Sequence, residues 1–340
     1  MKIVVLLGGD SEERDVSLAS GTEVARALRE AGHDVVAVDS AQGLLSAEDE
    51  RSILESGMAA AAPEAGTDLV ARGDAGALVR SEEVKDADVL FLALHGGAGE
   101  DGTLQGLLDL GGVPYAGSGR VGCTLAMDKD VTKRLLRDAG IPTADWITGY
   151  EKPAAVVERL GLPLIVKPVS GGSTVGLRLV RDVAELDGAY EAARSYDERV
   201  MYEAFVSGRE LTVGVLGDEP LPVGEIIPDH EIFDYECKYQ TGLAQEIFPA
   251  DLDATVARRV QDLAIRVHRV LQLSDFSRVD FILDGAGTPW CLEANALPGL
   301  TSNSLLPKAA AAAGITFPQL CDRIARLALE RFGTDRAGEP

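Results

Sequence analysis

The chain has 340 residues, 46% of them hydrophobic, and carries 55 acidic against 32 basic side chains, a formal net charge of −23. That length supports two or three domains with a sizeable core, and the apolar content excludes a disordered chain. So acidic a surface repels nucleic acid and anionic membranes, yet it admits a phosphate ligand, because a few local cations and backbone amides outweigh a distant negative field.

The opening run Met1-Lys2-Ile3-Val4-Val5-Leu6-Leu7 meets Gly8-Gly9-Asp10 too soon for a signal peptide or a membrane span, and reads as a buried first strand over 3–7. An amphipathic helix is predicted over 17–31, closed by Gly32. Strands follow at 35–38 and 89–94, the latter ending at His95-Gly96-Gly97, then a helix at 104–110 and a short strand at 113–115. This alternation predicts a parallel, doubly wound sheet whose strand C-termini line a site. Between 42 and 88 the signal weakens: 58–62 has helical character and 63–76 reads as an exposed insertion with no assigned role. Asp128 is a good N-cap for a helix over 129–138, with Gly140 and Pro142 as stop signals. Strands at 164–168 and 177–180 flank the loop Ser170-Gly171-Gly172-Ser173-Thr174-Val175-Gly176, a hairpin capped by glycine and serine. Strands at 200–203 and 210–216, a polar segment over 229–246 long enough to form a lid, and an amphipathic helix over 255–271 come next. Residues 309–332 are mainly helical, and 334–340 read as a frayed tail. Cys123, Cys237, Cys291 and Cys321 form no C-x-x-C pair, which favours reduced thiols and a cytoplasmic protein.

The most informative stretch is Arg278-Val279-Asp280-Phe281-Ile282-Leu283 followed by Trp290-Cys291-Leu292-Glu293-Ala294-Asn295. The turn residues Gly285-Ala286-Gly287 make the two runs adjacent strands, which brings Asp280 onto one patch with Glu293 and Asn295. Hard oxygen donors so arranged suit Mg²⁺ shared with nucleotide phosphates. Arg278, two residues before Asp280, shares its face of the strand, and a guanidinium beside a metal site suggests phosphoryl chemistry. The 170–176 loop suits phosphate, since glycines admit close backbone amides and Ser173 and Thr174 add hydroxyls. It is neither a P-loop nor a dinucleotide fingerprint. Lys167 before it and Lys129 on the preceding helix place two cations beside the same phosphates. Glu203 and Phe205 follow a strand, where a carboxylate and an apolar wall suit a purine edge. In the first loop the residue types do not choose among Glu12, Glu13 and Asp15 as the partner of an ammonium group.

Taken in order, GGDSEERDVSLASG, ALHGGAGEDGTLQG, PYAGSG, AMDK, KPVSGGSTVG, YEAFVSGRELTV, FDYECKY, SRVDFIL and LEANALPGLTSNSLLP resemble the D-alanine–D-alanine ligase family of the ATP-grasp superfamily, over almost the whole chain. The resemblance implies an α/β and α+β, ATP-grasp architecture with domains at 1–118, 119–202 and 203–335, and ATP between two antiparallel sheets. It implies Lys129, Lys167 and Ser173 on the phosphates, Glu203 with Phe205 and Val206 around the adenine, Glu210 near the ribose, and Asp280, Glu293 and Asn295 holding two Mg²⁺ or Mn²⁺. Glu13 would take the ammonium of the first D-alanine and His95 would sit near its carboxylate. Ser304, Leu305 and Lys238 would receive the second, while Arg278 and the Gly299 amide would stabilise the oxyanion. Tyr239, linked to Ser173, would shield the intermediate from water, and a Tyr there goes with D-alanine rather than D-lactate as acceptor. A homodimer through the first domain and a place in peptidoglycan precursor synthesis are also implied. Two positions depart from the family pattern: Gly171 replaces a frequent Glu, and Asn303 a frequent His.

Overall fold

The computed structural model describes residues 1–9, 11, 13–56, 75–233 and 242–337. Strand β1 (Lys2–Leu7) is apolar on both faces, the pattern of a strand covered from both sides. It pairs in parallel with β2 (Asp34–Asp39), reached through α1 (Arg14–Glu30). The hairpin strand β3 (Gly43–Leu44) turns back antiparallel on β2. Helices α2 (Ala47–Ser56), α3 (Ala75–Arg80) and α4 (Glu82–Lys85) lead to β4 (Val89–Leu92). Then α5 (Gly97–Glu100), α6 (Thr103–Gly111) and β5 (Tyr115–Ala116) complete a five-stranded sheet of order β3-β2-β1-β4-β5. The doubly wound reading therefore holds, with a short antiparallel strand at one edge.

A second, four-stranded antiparallel sheet follows. After α7 (Arg120–Met127) and α8 (Lys129–Asp138) come β6 (Trp146–Thr148), α9 (Pro153–Leu160), β7 (Leu164–Pro168), β8 (Arg178–Val180), α10 (Leu186–Arg194) and β9 (Val200–Ala204), in sheet order β6-β9-β7-β8. The third sheet is also antiparallel, ordered β13-β12-β10-β14-β15 with β11 on β10. Its members are β10 (Gly208–Leu216), β11 (Glu219–Pro220), β12 (Gly224–Pro228), β13 (Ala244–Ile247), then, after α11 (Ala254–Val270), β14 (Phe276–Asp284) and β15 (Pro289–Asn295). Helices α12 (Leu305–Ala312) and α13 (Phe317–Ala337) close the chain.

Several boundaries differ from the sequence reading. Helix α1 begins at Arg14, so Glu13 stands at its N-cap position rather than in a free loop. The short fifth strand is Tyr115–Ala116, since Pro114 has no N–H to give a ladder and contributes only its carbonyl, to the Leu90 amide at 2.8 Å. The C-terminal helical stretch is two helices broken at Gly314, where the Ile315 amide turns back to the Ala310 carbonyl at 2.9 Å. The second of them extends to Ala337, so the helix takes in 334–337 of the expected tail, and 338–340 lie outside the described residues. The expected helix at 58–62 and almost all of the insertion at 63–76 lie outside the described residues, as do Cys237, Lys238 and Tyr239.

The largest core is shared between the two ends of the chain. Ile3, Leu6, Leu7, Leu90 and Leu92 are fully buried with Leu320, Ile324, Ala325 and Ala328 of α13 and Leu306 and Ala310 of α12. Full burial of each large aliphatic side chain contributes about 1.5–3 kcal/mol. Arg331 of α13 donates to the carbonyls of Tyr115 and Gly117, each at 2.9 Å, and to Asp275 at 3.0 Å, joining the last helix to the first sheet and to the residue just before β14. Cys123, Cys291 and Cys321 are free and buried. Among the described residues no helix is long and apolar enough to cross a membrane.

Candidate active site

Two adjoining cavities, of about 430 and 810 Å³, open where the three sheets meet, and Lys129, Gly171, Gly172, Arg278 and Glu293 line both. The smaller one faces the carboxyl ends of β1 and β4, as a doubly wound sheet requires. The larger one lies between the two antiparallel sheets.

The described residues of the first loop make several side-chain contacts beneath the smaller cavity. Arg14 donates to the Gly9 carbonyl at 2.6 Å and pairs with the buried Asp39 at the end of β2. Ser11 donates to the His95 carbonyl at 2.5 Å, tying this loop to the one after β4. Glu13, so placed, accepts a hydrogen bond from the Ser173 hydroxyl. Ser173 and Thr174 both have positive φ, 50° and 62°, which is rare for any side chain and more so for the β-branched Thr174. Such strain at a Gly-rich loop persists only where the surroundings impose it. His95 is buried with its Nε2 3.2 Å from Ser20 Oγ. Burial pushes its pKa down, against the pull of Glu13.

The phosphate-type cations take defined positions. Asp128 caps α8 by accepting from the Val131 amide at 2.9 Å, which fixes Lys129 in the first turn, and Lys129 Nζ donates to the Gly171 carbonyl at 2.5 Å. Lys167 donates to Glu203 Oε2 at 2.6 Å, and Lys133 donates to Glu203 Oε1 at 2.5 Å. Burial alone would raise the Glu203 pKa, but the two ammonium groups outweigh it and hold the carboxyl at about 2. Burial draws Lys133 down. Phe205, Val206 and Glu210, half-buried between β9 and the start of β10, line the larger cavity with Glu203.

The strands β14 and β15 bring together the oxygen donors that their sequence suggested. Asp280 stands opposite Glu293, and Arg278 opposite Asn295. Asp280 accepts from Thr212 Oγ1 at 2.7 Å, Arg278 Nη2 at 2.9 Å and Asn295 Nδ2 at 3.0 Å. Among the described residues no three His, Cys, Asp or Glu side chains form a cage by themselves. Two carboxylates and an amide are brought together instead, oxygen donors of the kind that suit Mg²⁺ shared with phosphates. Beyond β15, Gly299 approaches Ser304 so closely that a Cβ on it would meet Ser304 Oγ at 2.9 Å. Ser304 Oγ lies 3.1 Å from the Thr301 amide and 2.8 Å from its hydroxyl. Leu305 is buried against Ile226 and Phe233. The exposed Asn303 lines the smaller cavity.

Two residues of the site had no role in the sequence reading. Lys133 was visible as the i+4 neighbour of Lys129, one turn along the same helix face. Glu100 lies within the quoted segment ALHGGAGEDGTLQG. Its carboxylate accepts from the Gly96 amide at 3.1 Å and the Leu297 amide at 3.4 Å, bridging the first sheet's loop to the loop after β15. Burial, and then the charge of Glu13, push its pKa up to about 7.

The family described as D-ala D-ala ligase N-terminus matches residues 2–118, and the one described as D-ala D-ala ligase C-terminus matches residues 135–326. The chain is 39% identical to a D-alanine–D-alanine ligase of Synechococcus sp. over 99% of this chain and 96% of that one. It is 42% identical to that of Bordetella petrii over 94% of this chain and 90% of that one. Among solved structures, D-alanine–D-alanine ligase from Bacillus anthracis superposes with a TM-score of 0.79 at 33% identity, covering 98% of this chain and 99% of that one. The same enzyme complexed with ATP superposes at 0.78 and 31% identity, covering 98% and 99%. On the match of both halves and on near full-length identity, the chain belongs to the D-alanine–D-alanine ligase family, and its fold is the ATP-grasp fold.

Proposed function

We propose that the protein joins two molecules of D-alanine into D-alanyl-D-alanine with conversion of ATP to ADP and phosphate, supplying a peptidoglycan precursor. The observation that carries this reading is the junction of a cavity for charged amino acids with a larger nucleotide-sized one across Lys129, Gly171, Gly172, Arg278 and Glu293. The relatives' names and the ATP complex of the Bacillus anthracis enzyme support it.

A carboxylate is a poor acyl donor, since its leaving group would be oxide. Its oxygen attacks the γ-phosphorus of ATP, ADP departs, and an acyl phosphate results. The amine of the second D-alanine attacks the acyl carbon, loses a proton, and phosphate leaves. Glu13 pairs with the first ammonium and His95 lies near its carboxylate. Lys129, Lys167 and Ser173 contact phosphates, and Glu203, Phe205, Val206 and Glu210 hold adenosine. Arg278 and the Gly299 amide stabilise the oxyanion, Ser304, Leu305 and Lys238 receive the acceptor, and Tyr239 closes the site with Ser173. The oxygen donors Asp280, Glu293 and Asn295 fit two Mg²⁺ or Mn²⁺ ions, which when bound neutralise phosphate charge. The working units are 1–118, 119–202 and 203–335, in a cytoplasmic homodimer joined through the first. Phosphate release with D-alanine as the sole amino acid, matched one for one by D-alanyl-D-alanine, is the expected result. Release only with D-lactate or D-serine added would overturn the choice of acceptor, and release with none would overturn the activity.

A further inference from the structure

One ion pair in the smaller cavity has no part in the chemistry above. Helix α12 starts just after Ser304, and the Lys308 amide donates to the Ser304 carbonyl at 3.1 Å. Ser304 and Lys308 are thus neighbours one turn apart, and both line the 430 Å³ cavity. Across it, β13 contributes Ala244 and Glu246, two residues apart and therefore on one face of the strand. Lys308 Nζ pairs with Glu246 Oε2. The carboxylate's side chain is only 15% exposed and the lysine's 37%, so the charge that remains open is the ammonium. Elsewhere in the cavity Lys129 reaches the Gly171 carbonyl and Arg278 reaches Asp280, both on the wall shared with the larger cavity. Lys308 lines only the smaller one, beside Ser304 and Asn303.

We propose that Lys308 is a specificity-determining residue that selects an acceptor bearing a carboxylate, and that Glu246 is the positioning residue that holds its ammonium at that end of the cavity. The inference rests on the ligase reading above. A cation fixed by a half-buried partner loses less freedom on meeting the acceptor than a solvated lysine would.

The test is steady-state kinetics of the full-length enzyme with D-alanine, and with D-alaninamide offered as a competing acceptor that keeps the amine and lacks the charge. In Lys308→Met the KM for the second D-alanine should rise about tenfold, while the KM values for ATP and the first D-alanine stay within about twofold. Selectivity for D-alanine over D-alaninamide should fall by the same factor, Lys308→Arg should restore most of it, and Glu246→Gln should fall between. Equal losses with both acceptors, or at both D-alanine sites, would show a merely structural role and overturn the proposal, as would an unchanged selectivity. If the wild-type enzyme makes no dipeptide, the ligase reading fails first, in the control arm, and takes this proposal with it.

Discussion

Asp280 and Glu293 stand directly opposite each other in β14 and β15, and the register slips by one residue immediately beyond them. Like charges in such a pair destabilise a sheet, and here Arg278 and the Asn295 amide turn toward Asp280 to offset part of the repulsion. A divalent cation with ATP should offset the rest. Magnesium and ATP together are expected to raise the melting temperature more than either alone, and Asp280→Asn should remove that synergy and lower kcat about a hundredfold or more. Thermal scans with and without chelator check it, and full synergy in Asp280→Asn would refute the assignment.

Glu203 is the counter-ion of two buried lysines. In Glu203→Gln the Lys133 and Lys167 ammonium groups would face each other unpaired. Breaking a buried pair from one side costs about 3–5 kcal/mol. Urea denaturation should show that loss, and Lys133→Met added to it should recover part, since one of the two uncompensated charges is then gone. A rise in the KM for ATP is expected in both variants.

The two carboxyls also set opposite pH limits on stability. Glu203 has its folded pKa held at about 2, below the ordinary 4.5, so its contribution is complete above pH 4.5 and is lost as pH falls toward 2. Glu100 has its pKa pushed up to about 7, so its contribution is complete below 4.5 and is lost as pH rises through 7. The Glu100 contribution to the melting temperature of the wild type should fall between pH 4.5 and 7, opposite in sign to that of His95 and His268, whose pKa values burial lowers. Glu100→Gln, which stays neutral throughout, should flatten that fall, and an unaltered slope would show that Glu100 does not titrate there.

Gly171 takes a φ of +92°, a region that costs a side chain about 1–2 kcal/mol, and its carbonyl receives the Lys129 ammonium. Restoring the family's frequent Glu by Gly171→Glu should therefore lower kcat/KM for ATP, by roughly three- to thirtyfold, with a loss of overall stability no larger than about 1–2 kcal/mol. A gain in activity would mean that the loop accommodates the side chain by changing its backbone.

What could be read in the sequence was local. Asp128 before a periodic helix, the apolar runs of β1 and β14, and the spacing of Arg278, Asp280, Glu293 and Asn295 each follow from periods of two or 3.6 residues and from turn chemistry. What escaped reading depends on distant partners. Glu100 is fixed by Leu297, 197 residues away, and Lys133 by Glu203, 70 residues away, so neither environment shows in the residue's own neighbourhood. Glu13 was chosen over Glu12 and Asp15 only through the family resemblance. In the structure its position follows from the Arg14–Asp39 pair and the Ser173 hydroxyl, both long-range contacts.

The joint core of the first sheet and the last helix has a consequence for biosynthesis. As the ribosome extends the chain, the strands β1, β2 and β4 are complete more than 200 residues before α13, so the face that meets Leu320, Ile324 and Ala328 waits until that helix emerges. A nascent chain stalled before α13 should thus present an open apolar sheet face, a target for holdase chaperones. The same chain released after Ala337 should bury it.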